Sequence, residues 1–464
     1  MADQTLKDLR GNSRRRFLKF AGAAGAALAL QRSDVLNVIS DVGGEAMAQD
    51  LSCSETNRSI HLVAGRGGFA WFQLLFPHTE IAQAGDAGFA YHTSPANSPE
   101  AADTDHPFVF APETPWQQMG PTKRITAMMS GSNETHTEQP TTAATMGGNI
   151  SMLAAIARLQ NQLPSLLPVI GVTPFSFGTA PGAPAVTTVG SPMGMVDLFN
   201  SSASQALLSV PDDAAQYEAY YKAFLSLNRA ARRPTYAGQL RITKASANFL
   251  GKNLADLLRP SDADRVAFGI DGNPPTNLRE LGEGLIIATR ALKLGLTNSI
   301  ILPALRDDPH GAFGNMGDLN MRVAMLGKML DATYEVLNAI PDPSCSGQSL
   351  GSTTIMTIHG DTPKNPRNRN GWPDGTPNNS NWLYVMGNGY LKTGWFGGVR
   401  ANGNVDGFDP KTGDNVAGQA SAATATAAGA AAAFAVAKGD QKRVDDVLGA
   451  NSVNIAGIVN PQLL

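Results

Sequence analysis

The stretch TTIMTIHGD, residues 353–361, is followed by TPKN at residues 362–365. Its first six residues are β-branched or apolar, which is typical of a buried strand. The run then breaks at Gly360 and Pro363, and His359 and Asp361 stand at the break. In open α/β sheets, sites lie where strands end and loops begin. The stretch therefore predicts a buried strand that leads into a functional loop.

Strand and helix patterns alternate along the rest of the chain. The predicted strands are residues 59–64, 124–129, 166–172, 298–303 and 382–386, and the predicted helices are 149–159, 277–294, 318–340 and the alanine-rich 417–438. Such alternation is the signature of an α/β domain. We expect one such domain over residues 49–464, with a helical insertion at about 205–260 and a Gly/Pro-rich loop at 173–191.

The N-terminus carries a targeting pattern. Residues 13–19 read SRRRFLK, which is similar to the twin-arginine (Tat) export signal, with Arg14 and Arg15 as its arginine pair. The apolar run 20–30 that follows is about half the length of a membrane span. A small-residue cleavage site, AMA, occupies residues 46–48, so the predicted signal peptide is 1–48. The alternative is a basic surface helix at a cytosolic N-terminus.

These features predict a periplasmic or otherwise exported protein that meets the Tat translocase during export and has no stable membrane span. The formal net charge of −3 gives no basic surface for nucleic acid. The chain has two cysteines, Cys53 and Cys345. In an oxidising compartment they are expected to form a disulfide. The alternative is two free thiols.

Candidate metal ligands follow two of the predicted strands. Histidine and carboxylate side chains bind divalent metals that assist ester hydrolysis. If the two strands are parallel neighbours, both sets lie at one edge of the sheet. The predicted ligand set is Asp308, His310, His359 and Asp361. The alternative is that Asp307 and Asp308 cap their loop, while His359 and Asp361 hydrogen-bond the Thr-Pro turn.

Other polar residues have two interpretations each. Thr141, Thr142 and Ser151 precede or open a helix, where a nucleophile or an ordinary N-cap is expected. His136 is either a substrate-orienting residue or a solvated loop histidine. The segment GRGG at 65–68 is either an anion-binding loop or a tight turn. A last group suggests either a sugar-binding rim or core packing: Trp372, Trp382, Trp395, Asn378, Asn379 and Asn381.

Four stretches resemble a known family: GLIIATRALKLG at 284–295, DDPHG at 307–311, TIHGDTPKN at 357–365 and GNGYLKTG at 387–394. They are similar to motifs of an uncharacterised family of Tat-exported bacterial proteins in the alkaline phosphatase and sulfatase superfamily. The resemblance implies a mostly parallel alkaline-phosphatase-like sheet flanked by helices. It also implies a divalent metal, because enzymes of this superfamily hold two metals for ester hydrolysis.

The chain departs from the family pattern at chemically important positions. His359 and Asp361 stand where the family has a glutamate and an arginine. The family's later Asp-His pair is absent at residues 377–379, and no carboxylate occurs at residues 68–71. Two functions are therefore weighed. One is a metal-dependent ester hydrolase, and the other is a non-catalytic binding or accessory protein of the cell envelope on the same fold.

Overall fold

The structure of the chain is a computed structural model. It describes residues 53–65, 75–77, 106, 108–110, 124–131, 145–161, 163, 165–200, 253–305, 316–342, 345–360, 381–387, 389–399, 405–418 and 421–463. The predicted signal peptide, with Arg14 and Arg15, lies outside the described residues.

The chain divides into two compact units. One unit comprises Ser52–Leu163, Leu167–Pro192 and Pro260–Leu464, and the other comprises Met1–Leu51, Pro164–Leu166 and Met193–Arg259. The second unit spans most of the predicted helical insertion at about 205–260, but residues 201–252 lie outside the described residues. The insertion therefore stays a prediction.

The strands are β1 Arg58–Val63, β2 Leu75–Pro77, β3 Phe108–Phe110, β4 Arg124–Gly131, β5 Thr145–Met146, β6 Ile150–Ser151, β7 Leu167–Val172, β8 Val186–Val189, β9 Thr297–Pro303, β10 Thr354–Gly360, β11 Asn381–Gly387, β12 Gly394–Phe396, β13 Gly398–Val399, β14 Val405–Phe408 and β15 Asn415–Val416. Eight of them form one sheet in the order β12-β4-β11-β10-β1-β9-β7-β8. Only β11 runs antiparallel to its neighbours in this sheet. The α/β prediction is thus confirmed as a mostly parallel mixed sheet.

The central strands are buried on both faces. Every residue of β1 and of β10 is buried. Strands of a parallel sheet with helices on both faces are buried on both faces, so the polar residues of β1 and β10 are buried as well. The predicted loop at 173–191 contains a strand, β8, so that prediction was wrong there. β8 has partly exposed side chains and gains its strand character by pairing with β7.

The helices are α1 Met152–Gln160, α2 Pro192–Leu198, α3 Leu254–Leu258, α4 Asp262–Ala267, α5 Thr276–Lys293, α6 Met316–Ala339, α7 Ser421–Val436 and α8 Gln441–Leu448. One face of the sheet packs against α1 and α7, whose buried residues share a core with Val63, Ile301 and Ile355. Because side chains alternate along a strand, Leu302 points to the other face, where α5 packs on β9 and α6 packs on α5.

Helix α7 lies very close to the sheet, as its alanine-rich sequence predicts. Its alanines from 427 to 433 are completely or almost completely buried. The helix packs on β4, β10 and β11 of the eight-stranded sheet. A Cβ atom added at Gly429 would stand 2.6 Å from Cγ of Met146 in the small β5–β6 sheet, so the helix lies close to that sheet as well. Small side chains permit this close approach, so the helix contributes packing rather than polar chemistry.

The two cysteines form the predicted disulfide, Cys53–Cys345, across a sequence separation of 292 residues. Cys345 is buried in the turn segment that precedes β10 in sequence, whereas Cys53 is exposed. In the part of the chain that the structure describes, no helix has both the length and the apolar character needed to cross a bilayer.

Replacing Cys53 with serine is expected to lower the free energy of unfolding by about 3 kcal/mol, because the unfolded chain loses a long covalent loop constraint. Urea unfolding of the purified chain, with and without reductant, measures this effect. Reductant should lower the free energy of unfolding of the wild-type chain and leave that of Cys53→Ser unchanged. Equal stability of the two oxidised proteins would contradict the expectation.

Candidate functional site

The carboxyl ends of three parallel strands meet at one edge of the sheet. The order is β10, β1, β9, so β1 lies between the two strands that lead into the predicted ligands. The two strands are therefore not direct neighbours, but both are parallel to β1, so their carboxyl ends lie at the same edge of the sheet. Of the predicted ligands, His359 is described, whereas Asp308, His310 and Asp361 lie outside the described residues.

His359 is the second-last residue of β10 and is fully buried. Its backbone carbonyl accepts a hydrogen bond from the N–H of Ala64 at 2.9 Å, which ties the ends of β10 and β1 together. Within the described structure, neither ring nitrogen of His359 has a hydrogen-bond partner. The alternative that His359 and Asp361 hydrogen-bond the Thr-Pro turn concerns residues 361–363, which lie outside the described residues.

A second buried histidine, His61, lies on the same face of the sheet. In the β1–β10 register, His61 is level with Thr357 and Val63 is level with His359. Residues two apart on a strand face the same side, so His61, Thr357 and His359 share one face. The Nδ1 atom of His61 is 2.7 Å from Oγ1 of Thr357, while the Nε2 atom of His61 has no hydrogen-bond partner in the described structure.

Sequence reasoning treated His61 only as part of the first strand. A signal was nevertheless present, since a polar side chain inside a strand buried on both faces needs a partner. Polar residues also recur at every second position, as Ser59 and His61 in β1 and as Thr357 and His359 in β10. That these two pairs lie side by side is a consequence of the strand order.

Burial keeps both imidazoles neutral. Desolvation, followed by repulsion from His359, lowers the pKa of His61 from 6.5 to about 3. Desolvation also lowers the pKa of His359, to about 4. Both rings therefore carry an unprotonated nitrogen at neutral pH. Such rings can donate a lone pair to a metal or accept a hydrogen bond, but they do not act as cations.

A neighbouring polar network on the same face is satisfied by hydrogen bonds. The hydroxyls of Ser59 and Ser299 are 3.0 Å apart. The Nε2 atom of Gln160, the last residue of α1, donates to the carbonyl of Asn57 at 2.8 Å and to Ser59 Oγ at 3.1 Å. The side chains of Ser59, Ser299 and Gln160 are thus hydrogen-bonded, whereas Nε2 of His61, two residues further along β1, has no partner in the described structure.

The other predicted candidates separate into buried and undescribed residues. Ser151 occupies the N-cap position of α1 and is buried, but its side chain makes no capping hydrogen bond. Thr141, Thr142 and His136 lie outside the described residues, as do Arg66, Gly67 and Gly68. Gly65 is described, and its N–H donates to the carbonyl of Leu305 at 3.4 Å.

The aromatic cluster does not form a sugar-binding rim from its described members. Trp382 and Trp395 are buried, and the ring of Tyr384 lies 4.7 Å from Trp382 and 5.9 Å from Trp395. Asn381 is buried too. These side chains belong to the core, as the alternative interpretation predicts. Trp372, Asn378 and Asn379 lie outside the described residues.

A cavity of about 590 Å³ lies near the entry to α1 and the end of α8. Asn149, Thr179, Asp446 and Asn451 line it together with apolar residues, and none of the predicted site residues does. Within the described residues, no group of three or more His, Cys, Asp or Glu side chains is gathered for a metal.

The chain was also compared with protein-family models, with curated proteins and with solved structures, and none of these comparisons finds a match.

Proposed function

We propose that the chain is an exported metal-dependent ester hydrolase on an alkaline-phosphatase-like sheet, with His359 as a metal ligand. Asp308, His310 and Asp361 are its proposed companions. The observation that supports this proposal is His359 itself, a buried neutral imidazole with both ring nitrogens unpaired at the carboxyl end of a central parallel strand. Residues 306–315 and 361–380 follow β9 and β10, two parallel strands whose carboxyl ends share an edge.

The residues fit a divalent metal in donor type. A neutral imidazole and carboxylate oxygens are ligands of zinc and of related transition metals. When bound, such a metal would stabilise negative charge on the ester oxygens and lower the pKa of a bound water. The protein's own contribution is to hold His359 neutral and rigid within the sheet. The ring is fully buried, so it is shielded from water.

The metal content of the purified chain tests the proposal. Protein prepared without chelators is expected to hold about one or two equivalents of a divalent transition metal and to hydrolyse 4-nitrophenyl phosphate or sulfate. His359→Gln should lose both metal and activity, whereas His106→Gln should keep both. A metal-free, inactive wild-type chain that also fails to take up added metal would overturn the proposal.

A second candidate is a non-catalytic binding or accessory protein of the cell envelope on the same fold. The complete burial of His359 favours it, because an ester must reach a catalytic metal. The departures from the family pattern also favour the second candidate, because residues 377–379 contain no Asp-His pair and residues 68–71 contain no carboxylate. This candidate predicts cosedimentation with isolated cell-wall polymer, no ester hydrolysis in the metal-loaded protein, and unchanged cosedimentation of His359→Gln.

Export through the Tat translocase is also proposed from residues 13–19. Changing Arg14 and Arg15 together to lysine is expected to retain the chain in the cytoplasm, because the signal depends on its arginine pair. Immunoblots of periplasmic and cytoplasmic fractions measure this. Arg10→Lys, outside the motif, should leave export unchanged. Periplasmic recovery of the double variant at the wild-type level would contradict the proposal.

A further inference from the structure

We propose that His61 is a second imidazole ligand beside His359, and that the pair forms a transition-metal site on the face of the sheet that packs against α1 and α7. The cation would be one that prefers imidazole nitrogen, such as Zn²⁺. The inference rests on the proposed function in one respect, since it assumes that His359 binds a metal. It adds a ligand from β1, a strand that the sequence did not connect with the site.

The strand geometry brings the two rings together. β1 and β10 are adjacent and parallel, and His359 lies two residues beyond Thr357, the residue level with His61. A strand spacing of about 4.8 Å and a rise of about 3.3 Å per residue put the two Cα atoms about 8 Å apart. Both side chains leave the same face, so imidazole groups on this diagonal can converge on one ion.

Thr357 selects the ring nitrogen of His61 that is left for a ligand. Its Oγ1 atom is 2.7 Å from Nδ1. When Nδ1 donates its proton to this oxygen, Nε2 carries the free lone pair. Metal-binding histidines commonly have their other nitrogen held in this way, which sets both tautomer and ring orientation. Thr357 is therefore a positioning residue, and Nε2 of His61 is the proposed donor atom.

The unpaired nitrogens supply the physical reason for a ligand. Three ring nitrogens lack partners in the described structure: His61 Nε2, His359 Nδ1 and His359 Nε2. A buried polar atom without a partner is unfavourable, and the nearby Ser59 and Gln160 side chains are fully engaged. One cation bound by both histidines would satisfy two of the three nitrogens. Because both rings are neutral, neither has to release a proton first.

Zinc affinity of the full chain tests the inference. The protein is stripped with chelator, dialysed and titrated with ZnCl₂ by calorimetry, and its Tm is recorded with and without Zn²⁺. His61→Gln is expected to weaken Zn²⁺ binding at least about 100-fold, and Thr357→Val about 10-fold, because ligand loss costs more than loss of an orienting partner. His106→Gln is the matched control, since it removes a histidine stacked on Phe396 near β12, and should bind as wild type.

The outcomes separate this inference from the proposed function. If the wild-type chain binds no Zn²⁺, both fail. If His359→Gln loses binding while folded His61→Gln keeps the wild-type affinity, the inference is overturned and the proposed function stands. Binding that survives both substitutions places the metal elsewhere and overturns the inference as well. If His61→Gln does not unfold cooperatively, the Zn²⁺ affinity of Thr357→Val is used instead. A wild-type Zn²⁺ affinity of Thr357→Val then overturns the inference.

Discussion

Lowering the pH from 8 to 5 is expected to reduce the free energy of unfolding of the metal-free chain by on the order of 4 kcal/mol through two histidines alone. His61 and His359 ionise in the folded chain with pKa values of about 3 and about 4, against 6.5 for an ordinary histidine. Between pH 6.5 and pH 4 the unfolded chain therefore binds more protons than the folded chain.

The sign of the effect follows from this difference. Stability rises with pH wherever the unfolded state binds more protons. The contribution of both histidines is fully present above pH 6.5 and is lost as the pH falls toward their folded pKa values. Each histidine contributes about 1.4 kcal/mol per pH unit within that window.

Urea unfolding at a series of pH values between 7 and 5 measures the slope. His61→Gln and His359→Gln should each remove about half of it, because each removes one of the two depressed pKa values. His106→Gln should retain the wild-type slope. Carboxylates titrate mainly below this range. A wild-type slope in both single variants would show that these histidines are protonated in the folded state.

Replacing Asp342 with alanine is expected to cost about 3–5 kcal/mol of folding stability, because it leaves a buried guanidinium without its carboxylate. Arg58 Nη1 donates to Asp342 Oδ2 at 2.8 Å, and the two side chains are 6% and 1% exposed. The hydroxyl of Thr353 donates to the same oxygen at 2.6 Å. Lys438 is near as well: burial lowers its pKa, and the charge of Asp342 opposes that shift.

Two controls distinguish an uncompensated charge from simple loss of packing. Asp446→Ala breaks an exposed pair with Lys442 at 2.7 Å and should leave urea stability unchanged within error. The double variant Arg58→Met with Asp342→Leu should recover most of the loss, because it removes both charges together. If Asp342→Ala has the same free energy of unfolding in urea as the wild type, the ion pair makes no measurable contribution to folding stability.

Local sequence was sufficient for the central strands and the long helices. The run at 353–358 is β-branched and apolar, and it forms most of β10. The end of α5 was predicted at Gly295, which adopts a φ of +67° that favours glycine. The predicted helix at 149–159 begins later, at Met152, because Asn149 adopts a positive φ and residues 150–151 pair as a strand.

Local sequence failed where a distant partner decides the structure. β8 has a Gly/Pro-rich context that is typical of a loop, yet pairing with β7 makes it a strand. The sequence also left the aromatic cluster open between a sugar-binding rim and core packing, and the structure buries its described members Trp382 and Trp395. Exposure is a property of the assembled layers, and no local pattern specifies it.

The sequence by itself determined the α/β alternation, the alanine-rich packing helix, the cysteine pair and the place of His359 at a strand end. Each depends on local propensity or on residue chemistry. Only the tertiary structure decided that β1 lies between β10 and β9, because strand order results from pairing between segments far apart in the chain. His61 and Thr357 are 296 residues apart in the sequence, yet Nδ1 of His61 lies 2.7 Å from Oγ1 of Thr357. That pairing turns one strand-end histidine into two buried, neutral imidazoles on a shared face.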